Sequence, residues 1–239
     1  MQVLQTSFSF EEGEVLLVDK PVGWTSFDVV NHLRLLIKRY LHIPKLKIGH
    51  AGTLDPLASG LLIICTGKLT KQIQALQDQD KVYVGKMRLG MTTPSYDLET
   101  EPDAFFSTTH LTPEHIEEVR KMFIGEQQQL PPVYSAVKID GKRAFHYARK
   151  QKEVQLKARI VTISNLEIDS TALPELSFRV ECSKGTYIRS LVHDIGQKLQ
   201  SGATLTELRR VKSGNYDVLD AWDLSALKQV IQGLSTQCK

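Results

Sequence analysis

Gly49-His50-Ala51-Gly52-Thr53-Leu54-Asp55-Pro56-Leu57-Ala58-Ser59-Gly60 runs without a break into Leu61-Leu62-Ile63-Ile64 and on to Gly67. The aliphatic run between two glycines predicts a strand buried on both faces. Ahead of it, three glycines, a histidine and an Asp-Pro pair make a flexible loop that presents a carboxylate. Pro56 keeps Asp55 out of the helical region, so that its side chain projects from a turn. The competing structural reading is that Asp55 and Pro56 are the N-cap and first residue of a helix.

Outward from this stretch, Val15 to Val18 predict a buried strand that leaves through Lys20, Pro21 and Gly23. A helix follows, capped by Thr25 or Ser26, with Phe27, Val30, Leu33, Ile37 and Leu41 at helical spacing. Lys81 to Leu89 alternates as a strand, and further strands are expected near 133–139, 159–168 and 176–182. Helices are expected near 143–150, along Ile188, Leu191, Val192, Ile195 and Leu199, and over 223–233. Strands and helices mix without regular alternation, which predicts an α+β domain rather than a doubly wound one.

The 239 residues, 41% hydrophobic and 24% charged, exclude a disordered chain and are enough for a substantial core. Cys65, Cys182 and Cys238 form no CxxC pair, and the histidines show no metal-ligand spacing, so neither a disulfide framework nor a metal site is expected. The N-terminus has no secretory pattern and no apolar run reaches membrane-spanning length, so a cytoplasmic protein with no membrane association is expected. Thr66-Gly67-Lys68-Leu69 lacks the spacing of a phosphate-binding loop.

The net charge of +3 conceals an uneven distribution. Arg34, Lys38, Arg39, Lys45 and Lys47 stand together without an acid. A second cluster spans 138–159, with Lys138, Lys142, Arg143, Arg149, Lys150, Lys152, Lys157 and Arg159 against Asp140 and Glu153. Tyr40, Phe145 and Tyr147 are interleaved with these charges, as in surfaces that follow a phosphate backbone and pack on sugars or bases. Asp97, Glu99, Glu101, Asp103, Glu114, Glu117 and Glu118 offset them in a segment expected to be a solvated loop entering a helix near Pro113.

The stretch Gly49 to Gly60 resembles the GHxGxLDPxAxG motif of the TruB family of pseudouridine synthases. Asp19-Lys20-Pro21-Val22-Gly23 is similar to its DKPxG motif, and Lys81-Val82-Tyr83 to its basic-x-Tyr strand. Pro131 to Lys138 with Gly141 matches the PPxYSAxKxxG block, Lys184 to Arg189 the KGTYIR motif, and Leu208-Arg209-Arg210 with Ser213-Gly214 the LRRxxSG block. These matches keep family order across nearly the whole chain. Pro94-Ser95-Tyr96-Asp97 departs from the pattern, which more often has a second Thr before the Asp, and Gln151 stands where Gly is common.

The resemblance implies the pseudouridine synthase fold, a mixed sheet crossed by a cleft, and conversion of uridine to pseudouridine at position 55 in the T arm of tRNA. It implies Asp55 as the catalytic carboxylate, Arg189 as the guanidinium that holds it ionised, and Tyr83 as the ring that packs on the target base. Tyr187 and Leu208 become walls of the base pocket, His50 a residue holding the everted loop, and Lys20 a support beneath the active-site loop. Lys142, Arg143 and Arg149 fall in the insertion near 138–159 that clamps the T arm. A single catalytic domain over 1–239 is expected, with no C-terminal PUA domain, acting as a monomer without an obligate protein partner. The chemistry requires neither cofactor nor metal. An RNA-binding chaperone without catalysis, or a synthase acting on another RNA, are the rival expectations.

Overall fold

The computed structural model describes residues 8–135, 137–139, 141–148 and 155–237. In chain order its elements are β1 (Val15–Lys20), α1 (Ser26–Leu41), β2 (Ile48–Ala51), β3 (Ala58–Thr66), α2 (Ile73–Gln77), β4 (Lys81–Leu89), β5 (Met91–Thr92) and β6 (Ala104–Phe105). There follow α3 (Pro113–Met122), β7 (Gly125–Gln129), β8 (Lys138–Ile139), β9 (Lys142–Arg143), α4 (Ala144–Ala148), β10 (Arg159–Asp169) and β11 (Glu175–Cys182). The chain closes with α5 (Ile188–Lys198), β12 (Ala203–Ser213), β13 (Tyr216–Asp217), β14 (Trp222–Asp223) and α6 (Leu224–Gln237). Helices accompany mixed, mostly antiparallel pairing, which is the α+β class expected. Two compact units are distinguished, one of residues up to Lys81 together with Arg209 onward, the other Val82–Leu208.

In the first unit, β3 is the buried strand read from its aliphatic run, with Leu61 to Cys65 fully enclosed. Strand alternation sends Leu62 and Ile64 to one face, where they pack with Leu16 and Val18 of β1, Val29, Leu33 and Ile37 of α1 and Leu227 and Ile231 of α6. Leu61, Ile63 and Cys65 point the other way, with Ala51 and Leu76. β1 pairs antiparallel with β3 (Val18 opposite Leu62) and parallel with β14, while β2 pairs antiparallel with β3 (His50 opposite Ile64).

α1 starts in a capping box. Thr25 Oγ1 accepts from Asp28 N at 3.0 Å, and Asp28 Oδ2 accepts from Thr25 N at 2.9 Å. The cap is therefore Thr25, and Ser26 becomes the first residue of the buried face. That rotates the stripe onto Ser26, Val29, Val30, Leu33, Leu36 and Ile37, leaving Phe27, expected inside, 63% exposed.

In the second unit the strand order is β12-β4-β11-β10-β7, with β5–β6 and β8–β9 as separate two-stranded pieces. β10 and β11 alternate regularly, placing Val161, Ile163, Leu166, Phe178 and Val180 in the core. α3 begins at Pro113 as expected, its N-cap Thr112 accepting from His115 N. The strand expected over 133–139 shrinks to β8. Pro131 and Pro132 offer no ladder donors, and Ser135 N bonds back to Val133 O at 2.9 Å in a turn. Asp97, expected in solvent, is 5% exposed.

Candidate active site

Asp55 lies in the first unit, in the loop that joins β2 to β3, and is half-buried. No helix begins there. Ala58 N bonds to Asp55 O at 3.1 Å, and the chain turns through Pro56 and Leu57 straight into β3. The N-cap reading of Asp55-Pro56 is thereby excluded.

The backbone is anchored on both sides of the carboxylate. Before it, Ser26 Oγ accepts from Leu54 N at 2.8 Å and donates to Leu54 O at 3.2 Å. After it, Pro56 O accepts from Gly23 N at 2.8 Å and from Lys20 Nζ at 3.4 Å. Lys20 Nζ also donates to Pro21 O at 2.9 Å and Trp24 O at 2.6 Å, so an ammonium without solvent exposure ties three carbonyls together. Burial pushes the Lys20 pKa down to about 8, with Arg210 adding to the fall and the carboxylates of Asp55 and Asp28 opposing it.

Two consecutive arginines of β12 hold the surroundings of the loop, Arg210 at the loop itself and Arg209 on β1 beside it. Arg210, 1% exposed, donates from Nε to Leu61 O at 2.7 Å and from Nη2 to Gly52 O at 3.2 Å. Its backbone approaches so closely that a Cβ on Gly60, where φ is +101°, would stand 2.3 Å from Arg210 O. Arg209 forms a fork on Asp19, at 2.9 and 2.6 Å. His50, on β2, is half-buried, and its pKa is pushed down by burial first and by the Arg210 charge second.

In the second unit, Arg189 is the second residue of α5 and 3% exposed. Its Nη1 donates to Ser95 O at 3.0 Å, its Nη2 to Tyr134 O at 2.9 Å, and its Nε lies 3.6 Å from Asp97 Oδ2. The guanidinium is thus aimed by three groups from two separate segments, a geometry that lysine's single nitrogen does not reproduce. Tyr187 N-caps the same helix. The Gln129 amide donates to Tyr187 O at 3.0 Å and accepts from Tyr187 N at 2.8 Å, and the Arg159 guanidinium sits 4.9 Å above the Tyr187 ring centroid. Tyr83, on β4, is 8% exposed, and Leu208, on β12, is half-buried.

The residues named from the sequence therefore fall into two sets. Lys20, His50 and Asp55 belong to the first unit, and Tyr83, Tyr187, Arg189 and Leu208 to the second. Lys142 and Arg143 form β9, their side chains lying outside the described set, and Arg149 lies outside the described residues altogether. A cavity of about 450 Å³ in the second unit, lined by Gln127, Leu130, Asp194 and Lys198 among others, is touched by none of them. Ser26, Asp97, Gln129 and Arg210 had no assigned part in the site. Only the Leu-Arg-Arg block and the Ser95–Asp97 departure from the motif pointed at any of these four.

The profile of the TruB family pseudouridylate synthase N-terminal domain matches residues 38–188, and that of the tRNA pseudouridylate synthase B C-terminal domain matches 189–236. The chain belongs to the TruB family. The tRNA pseudouridine synthase B of Flavobacterium johnsoniae is 52% identical over 95% of this chain and all of that protein. Its Bacteroides fragilis namesake is 55% identical over 90% of this chain and 92% of the relative. Among solved structures, a chain of a Cbf5-Nop10-Gar1 complex superposes with a TM-score of 0.69 at 33% identity, covering 92% of this TruB family chain and 54% of that one. A chain of an H/ACA ribonucleoprotein bound to a substrate RNA containing 2′-deoxyuridine gives 0.66 at 30% identity, covering 92% and 53%. This chain thus spans about half the length of either solved chain.

Proposed function

We infer that this TruB family protein converts uridine to pseudouridine in tRNA, at position 55 of the T loop. The observation that carries the reading is the Asp55 loop, fixed at residue 54 by Ser26 and at residue 56 by Lys20, so that the carboxylate is held on a rigid backbone. Preorganisation of this kind is what an enzyme needs when a reacting group must meet one atom of a bound base.

The reaction breaks the bond between uracil N1 and ribose C1′, turns the base and joins its C5 to C1′; the C5 proton is released to solvent and N1 takes one up. A second carboxylate that activates water, as in a glycoside hydrolase, would destroy the intermediate, so one carboxylate is the appropriate complement. In this reading Asp55 attacks C1′ or C6, or takes the C2′ proton. Arg189 contributes positive charge to the reaction, and Tyr83 packs on the base.

The uridine must leave its stack first, at a cost of a few kcal/mol. Tyr187 and Leu208 wall the base in this proposal, and stacking on an aromatic ring returns about 1–3 kcal/mol. His50 holds the everted loop, and Lys142, Arg143 and Arg149 clamp the T-arm backbone. The protein is proposed to act as a monomer in the cytoplasm. Among the described residues, no helix is long and apolar enough to cross a membrane.

Incubation with a T-arm stem-loop carrying tritium at uracil C5 tests the function. Tritium release with mass-neutral conversion is expected, and it continues in the presence of a chelator. Tight binding without release would identify a chaperone instead, and release only from a different RNA would move the substrate. Joint neutralisation of Lys142, Arg143, Arg149 and Lys150 is expected to flatten the salt dependence of tRNA binding.

A further inference from the structure

Helix α5 grips the turn over 93–97 at two points one helical turn apart. Arg189 holds its backbone at Ser95 O and pairs with Asp97. His193, four residues on and so on the same helix face, lays its ring on Tyr96, with centroids 3.9 Å apart and planes at 17°. Within the turn, Thr93 Oγ1 donates to Asp97 O at 2.6 Å, Ser95 Oγ donates to the same oxygen at 3.1 Å, and Leu205 N donates to Tyr96 O at 2.9 Å.

Tyr96 adopts φ +65°, the left-handed region that a bulky side chain rarely occupies. That conformation directs Ser95 O and the Asp97 carboxylate to Arg189 while the Tyr96 side chain turns to His193. It must be held by something outside the turn: Leu205 N and the Arg189 guanidinium hold its backbone, and the ring stack is the contact that holds the Tyr96 side chain. His193 Nδ1 is enclosed and has no hydrogen-bond partner among the described residues, so that nitrogen adds no polar pairing to the stack. Burial also favours its neutral form. The stack sits where the chain departs from the family's motif, at Ser95-Tyr96.

We infer that Tyr96 and His193 are a coupled pair of positioning residues that fix the turn holding Arg189, an inference that rests on the role proposed for Arg189 above. Neither touches the reacting atoms in this account. They act by keeping Ser95 O and Asp97 where the guanidinium needs them.

The test is steady-state turnover of the T-arm stem-loop by Tyr96→Ala, His193→Ala, the double variant, and the ring-preserving Tyr96→Phe and His193→Phe. Each alanine variant is expected to lower kcat about three- to tenfold, the range a buried ring stack supplies, with KM within about twofold. The double variant should be no slower than the worse single one, because either change removes the whole contact. Both phenylalanine variants should stay within about twofold of wild type in kcat. Should His193→Ala fail to fold, His193→Leu fills the space without a stacking ring and is expected to show the same loss.

Unchanged kcat in the alanine variants, losses that multiply in the double variant, or an effect on KM alone would each overturn the inference. Arg189→Lys separates the two levels. If it loses turnover while the stack variants do not, only the positioning pair is wrong. If it keeps wild-type turnover, the role of Arg189 fails, and the inference fails with it.

Discussion

The hydroxyl of Ser26 forms both of its hydrogen bonds with one residue, accepting from Leu54 N at 2.8 Å and donating to Leu54 O at 3.2 Å, immediately before Asp55. A side chain at the start of α1 thereby supplies the pairing that a loop backbone lacks. Removing it leaves a buried N–H and a buried C=O unpaired at the same residue. Ser26→Ala is expected to lose about 1–3 kcal/mol of stability and to slow tritium release several-fold, with RNA affinity close to wild type. Denaturant titration and single-turnover kinetics measure the two effects, and full turnover in the variant would show that the Asp55 loop does not depend on this anchor.

Lys20 gives an alkaline signature. Its pKa is about 8 in the fold against 10.5 when solvated, so between those values the unfolded chain binds more protons. Stability should therefore rise with pH across that window relative to Lys20→Met, which has no such proton to lose. Turnover should move the opposite way, because the neutral amine has two donors and no charge for the three carbonyls it joins. Paired unfolding and kcat profiles from pH 7 to 10.5 would reveal the crossing, and parallel stability profiles for wild type and variant would refute it.

Asp194 on α5 reports on burial without a catalytic part. Burial raises its pKa to about 6 from 3.8, and a carboxylate held above its unfolded value weakens the fold wherever it is ionised. The penalty is complete above about pH 6 and disappears as pH falls toward 3.8. Asp194→Asn is expected to be more stable than wild type at pH 7.5 by about 1–2 kcal/mol, less than the full shift implies because solvent screens a partly exposed carboxylate, and close to it near pH 4. A variant less stable than wild type at pH 7.5 would mean that Asp194 has a favourable ionic partner in the fold.

Much of this was legible in the sequence, and the limits have physical reasons. The Leu61–Ile64 run, the alternation of Lys81–Leu89 and the amphipathic pattern from Ile188 each marked a real element, because burial on both faces, one face or one stripe leaves its own period. Phe27 misled because its spacing fits the stripe as well as that of its neighbours does, and the capping box at Thr25 decides which residue the buried face starts on. Asp97 misled because it stands first in a run of acids. Its burial comes from Arg189, a partner far along the chain that local composition does not encode. The motif residues fared differently. Asp55 was marked by its glycines and proline, and Arg210 only by the Leu-Arg-Arg block, whereas Ser26 acts through the backbone of another segment and carries no local signal.

The central claim is that the Asp55 carboxylate performs the isomerisation. Its most direct measurement is tritium release from a T-arm stem-loop labelled at uracil C5, with wild type and Asp55→Asn compared at saturating enzyme and RNA binding measured in parallel. The account predicts complete release by wild type and none by Asp55→Asn, with dissociation constants within about threefold of each other, since the amide keeps the shape of the side chain and removes its charge. Turnover by Asp55→Asn at a rate near wild type would contradict it.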